Sequence, residues 1–130
     1  MSNKGKDKTG LPVNIWVDEG GKYKNSGHGK RIKFQLNHAR LVQNQPNASM
    51  SLDGDVFWKT FDKRKSEINE NDIRQVINFV RNNKYALNAL SNGFIISDDF
   101  DEVMIKGGDI ASKEQIENQI KEVDSIMMKN

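Results

Sequence analysis

Lys30-Arg31-Ile32-Lys33-Phe34-Gln35-Leu36 is the stretch that decides the fold. Ile32, Phe34 and Leu36 alternate with Arg31, Lys33 and Gln35, the period-two pattern of a strand with one face on a core and the other toward water. Residues 11–17 repeat the pattern, with Val13, Ile15 and Val17 on one side and Asn14 and Trp16 on the other. Between these strands, residues 18–29 hold Gly20, Gly21, Gly27 and Gly29 and read as a loop. Residues 37–47, with Pro46 and three Asn, turn or loop out. Asp53-Gly54 then lies between residues 50–52 and residues 55–61, and an Asp-Gly pair between β-prone segments marks a hairpin. Phe57, Trp58 and Phe61 put aromatics on both faces of its second strand, so the pattern leaves the register open.

The period then changes from two to 3.6. Asn69 offers an N-cap, Glu70 and Asp72 suit the positive end of the helix dipole, and Ile73, Val76, Ile77, Val80, Leu87 and Leu90 keep one face. Asn92-Gly93 ends the run, giving an expected helix over about 69–91. Residues 94–96 and 100–106 read as two short strands around an Asp98-Asp99 turn. Ser112-Lys113-Glu114-Gln115 has the form of a capping box, and Ile116, Ile120, Val123 and Met127 stripe a last helix over about 112–128. The expected architecture is α+β: a mostly antiparallel sheet from the N-terminal half, packed against two amphipathic helices. Residues 1–10 lack apolar side chains after Met1 and read as a disordered basic tail, leaving 11–130 as one domain.

The chain of 130 residues contains no cysteine, which excludes disulfides, thiolate zinc sites and a cysteine nucleophile. No apolar run reaches the length of a membrane span and no apolar segment follows the basic start, so the expected location is cytoplasmic. Fifteen Asn, twelve Ile, and fifteen Lys against five Arg suit an AT-rich coding sequence, as in a low-GC bacterium, its phage or a mobile element. The net charge of +2 conceals a gradient. Residues 1–40 carry nine Lys or Arg against three acids, whereas residues 98–130 carry four against nine. Either the surface is polarised or the two ends neutralise each other.

Motifs for chemistry are sparse. The glycine-rich loop that ends at Lys30 lacks phosphate-loop spacing and leads into a strand instead of a helix. His28 and His38 flank a basic strand, the pairing that a metal-independent ribonuclease would use as base and acid. Ten residues of extended chain separate them by roughly 30 Å unless the chain folds back. Asp98, Asp99, Asp101 and Glu102 offer hard oxygen ligands, but the run lacks calcium-loop spacing and a late bidentate Glu, so a solvated acidic turn is the default reading. No cofactor motif is present.

The outward face of the first two strands carries the leading expectation. Trp16 shares it with Arg31 and Lys33, beside Lys22, Tyr23, Lys24 and Lys30 from the loop, and Lys4, Lys6 and Lys8 of the tail would extend it. Aromatic platforms among cations bind single-stranded DNA or RNA, the bases stacking while the cations follow the phosphates. The competing expectation is a protein-interaction, inhibitor or assembly module that uses the Phe57, Trp58 and Phe61 hairpin, the acidic last helix and Met127-Met128.

Overall fold

The computed structural model describes residues 2–17, 31–35, 47–52, 54, 57–59 and 69–129. Five strands form one sheet in chain order: β1 (Ser2–Lys4), β2 (Ile15–Val17), β3 (Arg31–Gln35), β4 (Asn47–Ser51) and β5 (Phe57–Lys59). Every neighbouring pair is antiparallel. The helices are α1 (Lys6–Thr9), α2 (Glu70–Asn82), α3 (Lys84–Ser91), α4 (Ser97–Val103) and α5 (Lys113–Lys129). The fold is α+β, as the alternation of residues 30–36 and the later 3.6 period dictate.

Alternation places the core. Ile15 and Val17 of β2, Ile32 and Phe34 of β3, and Met50 of β4 are fully buried, and they join Val76, Phe79, Val80, Leu87, Leu90, Phe100 and Val123 from the helices. Burying each such side chain contributes about 1.5–3 kcal/mol. Met50 pairs with Phe57 and Ser49 with Trp58, and the Gly54 N–H donates to the Ser51 carbonyl at 3.1 Å between the two strands.

Both expected helix starts form as read. The Asn69 side chain accepts from the Asp72 N–H at 3.1 Å. Ser112 and Gln115 bond reciprocally, at 3.1 Å from the Gln115 N–H to Ser112 Oγ and 2.9 Å from the Ser112 N–H to Gln115 Oε1. At the end of α3, Gly93 adopts φ 79°, and the N–H groups of Gly93 and Phe94 reach the carbonyls of Leu90 and Ala89. That is a Schellman stop, whose left-handed residue favours glycine.

Three expectations are corrected. The helix over 69–91 is two helices that meet at Asn83 (φ −106°, ψ 16°). The cause is the buried Asn83 side chain, whose amide donates to the Phe79 carbonyl at 2.9 Å within its own helix and to the Ile105 carbonyl at 3.0 Å. The strands expected at 94–96 and 100–106 are absent: residues 94–96 connect α3 to α4, and residues 97–103 are helix. Asp98 and Asp99 start α4 instead of marking a turn, with Asp99 Oδ2 accepting from the Ile96 N–H at 3.1 Å. Phe100 and Val103, three residues apart, then face the core together.

The disordered basic tail is the third correction. Ser2–Lys4 pairs with β2, and Lys4 is 0% exposed. Its ammonium donates to Asp101 at 2.7 Å, bonds the Ser97 hydroxyl and lies 5.5 Å from the centre of the Phe100 ring. Lys8 reaches the other oxygen of Asp101 at 3.2 Å. The Gly107 N–H donates to the Thr9 carbonyl at 2.7 Å, tying α1 to the turn before α5. Apolar content alone does not foretell such a segment, because polar partners far along the chain order it.

Burial pushes the Asp101 carboxyl up, but hydrogen bonds from Lys4 and Lys8, reinforced by their charges, hold it below the ordinary carboxylate value. A carboxyl lowered by folding stabilises the protein above its unfolded pKa, and that contribution fades as pH falls through the folded value. Asp101→Asn therefore costs about 3 kcal/mol near neutral pH by leaving Lys4 buried without its counter-charge. The gap from wild type narrows as urea melts are repeated below pH 4 or so. Lys4→Met costs less, since Asp101 keeps Lys8 and partial solvent access.

Asn83→Ala removes the acceptor of the Ile105 N–H, a donor to the Ile105 carbonyl and one of the two acceptors of the Gln119 amide. At about 1–3 kcal/mol for each of the two orphaned Ile105 groups, the expected loss is about 2 kcal/mol or more by chemical denaturation.

Candidate functional site

β2 and β3 lie in a register that makes Trp16 and Lys33 direct partners across the strands. Antiparallel partners hold their Cβ atoms about 4.5–5.5 Å apart. Both residues are half-buried, on the face opposite Ile15, Val17, Ile32 and Phe34. Arg31, two residues before Lys33, shares that face and is also half-buried. The structure thus brings together Trp16, Arg31 and Lys33. Lys22, Tyr23, Lys24 and Lys30 lie outside the described residues, as do His28, His38 and Phe61.

The register extends the row. Asn3 of β1 pairs with Trp16, Lys33 pairs with Ser49 of β4, and Ser49 pairs with Trp58 of β5. Asn3, Trp16, Lys33, Ser49 and Trp58 therefore occupy one line of register positions across the sheet. Sequence reading placed Trp58 with the hairpin aromatics and overlooked this line. The signal was available, since a two-residue turn at Asp53-Gly54 fixes 50 opposite 57 and 49 opposite 58.

The tail does not widen the basic face as expected. Lys4 is buried against Asp101, and Lys8 binds the same carboxylate. Their charges are engaged within the fold. The acidic run divides by role: Asp98 and Asp99 sit in the first turn of α4, and Asp101 anchors the N-terminal strand. Among the described residues, no group of three His, Asp or Glu is placed to hold a metal ion, and no helix is long and apolar enough to cross a membrane.

A second concavity lies between α3 and α5. This groove of about 410 Å³ is lined by Arg81, Lys84, Tyr85, Asn88, Ile116 and Ile120, with Asn82 and Gln119 completing it. The Tyr85 hydroxyl donates to the Asp124 carboxylate, and this bond, then burial and the negative charge, raise its pKa above the ordinary phenol value. The bond links α3 to α5. Gln119 is 2% exposed. Its amide donates to Asn83 Oδ1 at 2.6 Å and to the Val103 carbonyl at 3.3 Å, while its Oε1 has no partner among the described residues.

Comparison with models of protein families, with curated proteins and with solved structures finds no match, so the functional reading rests on this geometry.

Proposed function

We propose that the chain is a non-catalytic binding domain for single-stranded nucleic acid, acting through the sheet face that carries Trp16, Arg31 and Lys33. The observation that carries this reading is the cross-strand pairing of Trp16 with Lys33. It sets an indole beside a cation on a half-exposed surface, where a base stacks on the ring and its phosphate meets the ammonium. Trp58, in line with this pair at the far edge of the sheet, holds the register position for a further contact. Lys22, Tyr23, Lys24 and Lys30 belong to the same reading as the rim.

A protein-interaction module is the second reading. It draws on Phe94 and Ile96, which are 58% and 64% exposed at the connection between α3 and α4. Two large apolar side chains this close in sequence and this open to water offer contact area to a protein partner.

Tryptophan fluorescence of the Trp58→Phe variant, which leaves Trp16 as the sole indole, measures the nucleic-acid reading directly. Titration with single-stranded DNA or RNA is expected to quench Trp16. The logarithm of affinity should fall with the logarithm of salt by about 0.7 for each phosphate engaged. Trp16→Ala, followed by anisotropy of a labelled oligonucleotide, costs about 1–3 kcal/mol of binding. Arg31→Glu/Lys33→Glu weakens it further and flattens the salt dependence. Absence of binding, or binding indifferent to these charge reversals, overturns the proposal.

A further inference from the structure

β1 forms where composition foretold a disordered tail, and it changes what borders Trp16. Asn3 is the cross-strand partner of Trp16 on one side, as Lys33 is on the other. Alternation sends Lys4 to the core side, opposite Ile15, and Asn3 to the outer side with Trp16 and Lys33. Lys4 is fully buried with its ammonium 2.7 Å from Asp101, so the residue next to Asn3 is anchored to α4. Asn3 itself is exposed, and its amide has no hydrogen-bond partner among the described residues.

Three neighbouring strands thus set a neutral amide, an indole and an ammonium in one row. Strands lie about 4.7–4.9 Å apart, which puts Asn3 and Lys33 roughly 10 Å from each other with Trp16 midway. A purine nucleotide spans a distance of that order from its phosphate to the far edge of its base, and a pyrimidine nucleotide is shorter. With its base on the indole and its phosphate at Lys33, a purine therefore brings its outer edge to Asn3.

A carboxamide offers one acceptor and one donor side by side. Adenine sets an amino donor beside a ring-nitrogen acceptor on both of its free edges, so it pairs with the amide in either orientation. The Hoogsteen edge of guanine offers two acceptors and pairs with only half of the amide. We propose that Asn3 is the base-reading residue of this face and that it selects adenine in a single strand, a proposal that rests on the nucleic-acid reading of Trp16 and Lys33. The base stacks on Trp16, its phosphate meets Lys33, and its amino group and adjacent ring nitrogen bond the Asn3 carboxamide.

The test is an anisotropy titration of the full chain with three labelled single strands of equal length. These are oligodeoxyadenylate, the same strand with unsubstituted purine in place of adenine, and oligothymidylate. Purine keeps the stacking surface of adenine and lacks only the amino donor. The adenine strand is expected to bind at least about fivefold tighter than the purine strand, the lower bound for one bidentate amide–adenine pair. Asn3→Ala should abolish that difference and leave the affinity for oligothymidylate as in the wild type. In nitrogen-15 spectra of the wild-type chain, the Asn3 side-chain amide should move further at saturation with the adenine strand than with the purine strand. Equal binding of the adenine and purine strands overturns the proposal and leaves the nucleic-acid reading standing, as does a preference that survives in Asn3→Ala. Binding of none of the three strands overturns both. Should Asn3→Ala unseat β1, the wild-type amide shifts decide alone, since equal movement with the two strands is equally fatal.

Discussion

The helical half of the protein is organised around one carboxamide. Asn83 donates to Phe79 and Ile105 and accepts from Ile105 and Gln119, so a single buried side chain joins α2, the connection after α4, and α5. The neighbouring asparagines extend the seam. Asn82 donates to the Asp109 carbonyl at 2.7 Å and accepts from the Ala111 N–H at 3.0 Å, and Asn78 donates to the Gly108 carbonyl at 3.0 Å. Residues 105–111 contain little that is apolar and buried, so hydrogen bonds to α2 hold this connection where hydrophobic packing could not. Gly108 completes the contact, because a Cβ there would meet the Gln75 side chain at 2.4 Å. The chain passes α2 too closely for any larger residue.

This seam changes the meaning of an asparagine-rich composition. Fifteen Asn invite an explanation from base composition alone, and Asn3, Asn71, Asn92 and Asn118 are exposed. Asn82 and Asn83, however, are buried with both amide and carbonyl groups engaged, which is specific structural work. The charge balance sharpens in a similar way. Asp101, from the acidic end of the chain, binds Lys4 and Lys8 from the basic end. Part of the gradient is therefore cancelled inside the fold.

How much the sequence reveals depends on the range of the interaction. Alternation in β2 and β3, the Asn69 cap, the Ser112–Gln115 box and the Gly93 stop are encoded within a few residues, and each forms as read. The partners of Lys4 lie 93 and 97 residues away, and those of Asn83 are 22 and 36 away. No local window contains such information, so the N-terminal strand and the break between α2 and α3 were hidden. The α4 segment failed for another reason. Phe100 and Val103 fit a short strand or one helical turn equally, and the Asp99 cap, which decides between them, resembles a turn signal in sequence. Of the site, Trp16, Arg31 and Lys33 follow from alternation, whereas Gln119 reads as an exposed helix position until Asn83 is placed beside it.

The two candidate surfaces share a logic that fold stability alone does not supply. A half-buried antiparallel strand needs Ile15 and Val17 inward, but almost any residue serves at position 16, and a tryptophan there opposite Lys33 adds an aromatic platform the core does not use. On α5 the situation is inverted. Val123 and Gln119 make the buried contacts, and the isoleucines at 116 and 120 contribute apolar surface that the core again leaves half-exposed. In each case the residue exceeds what its element requires. Surface of that kind costs solubility unless something covers it for part of the time.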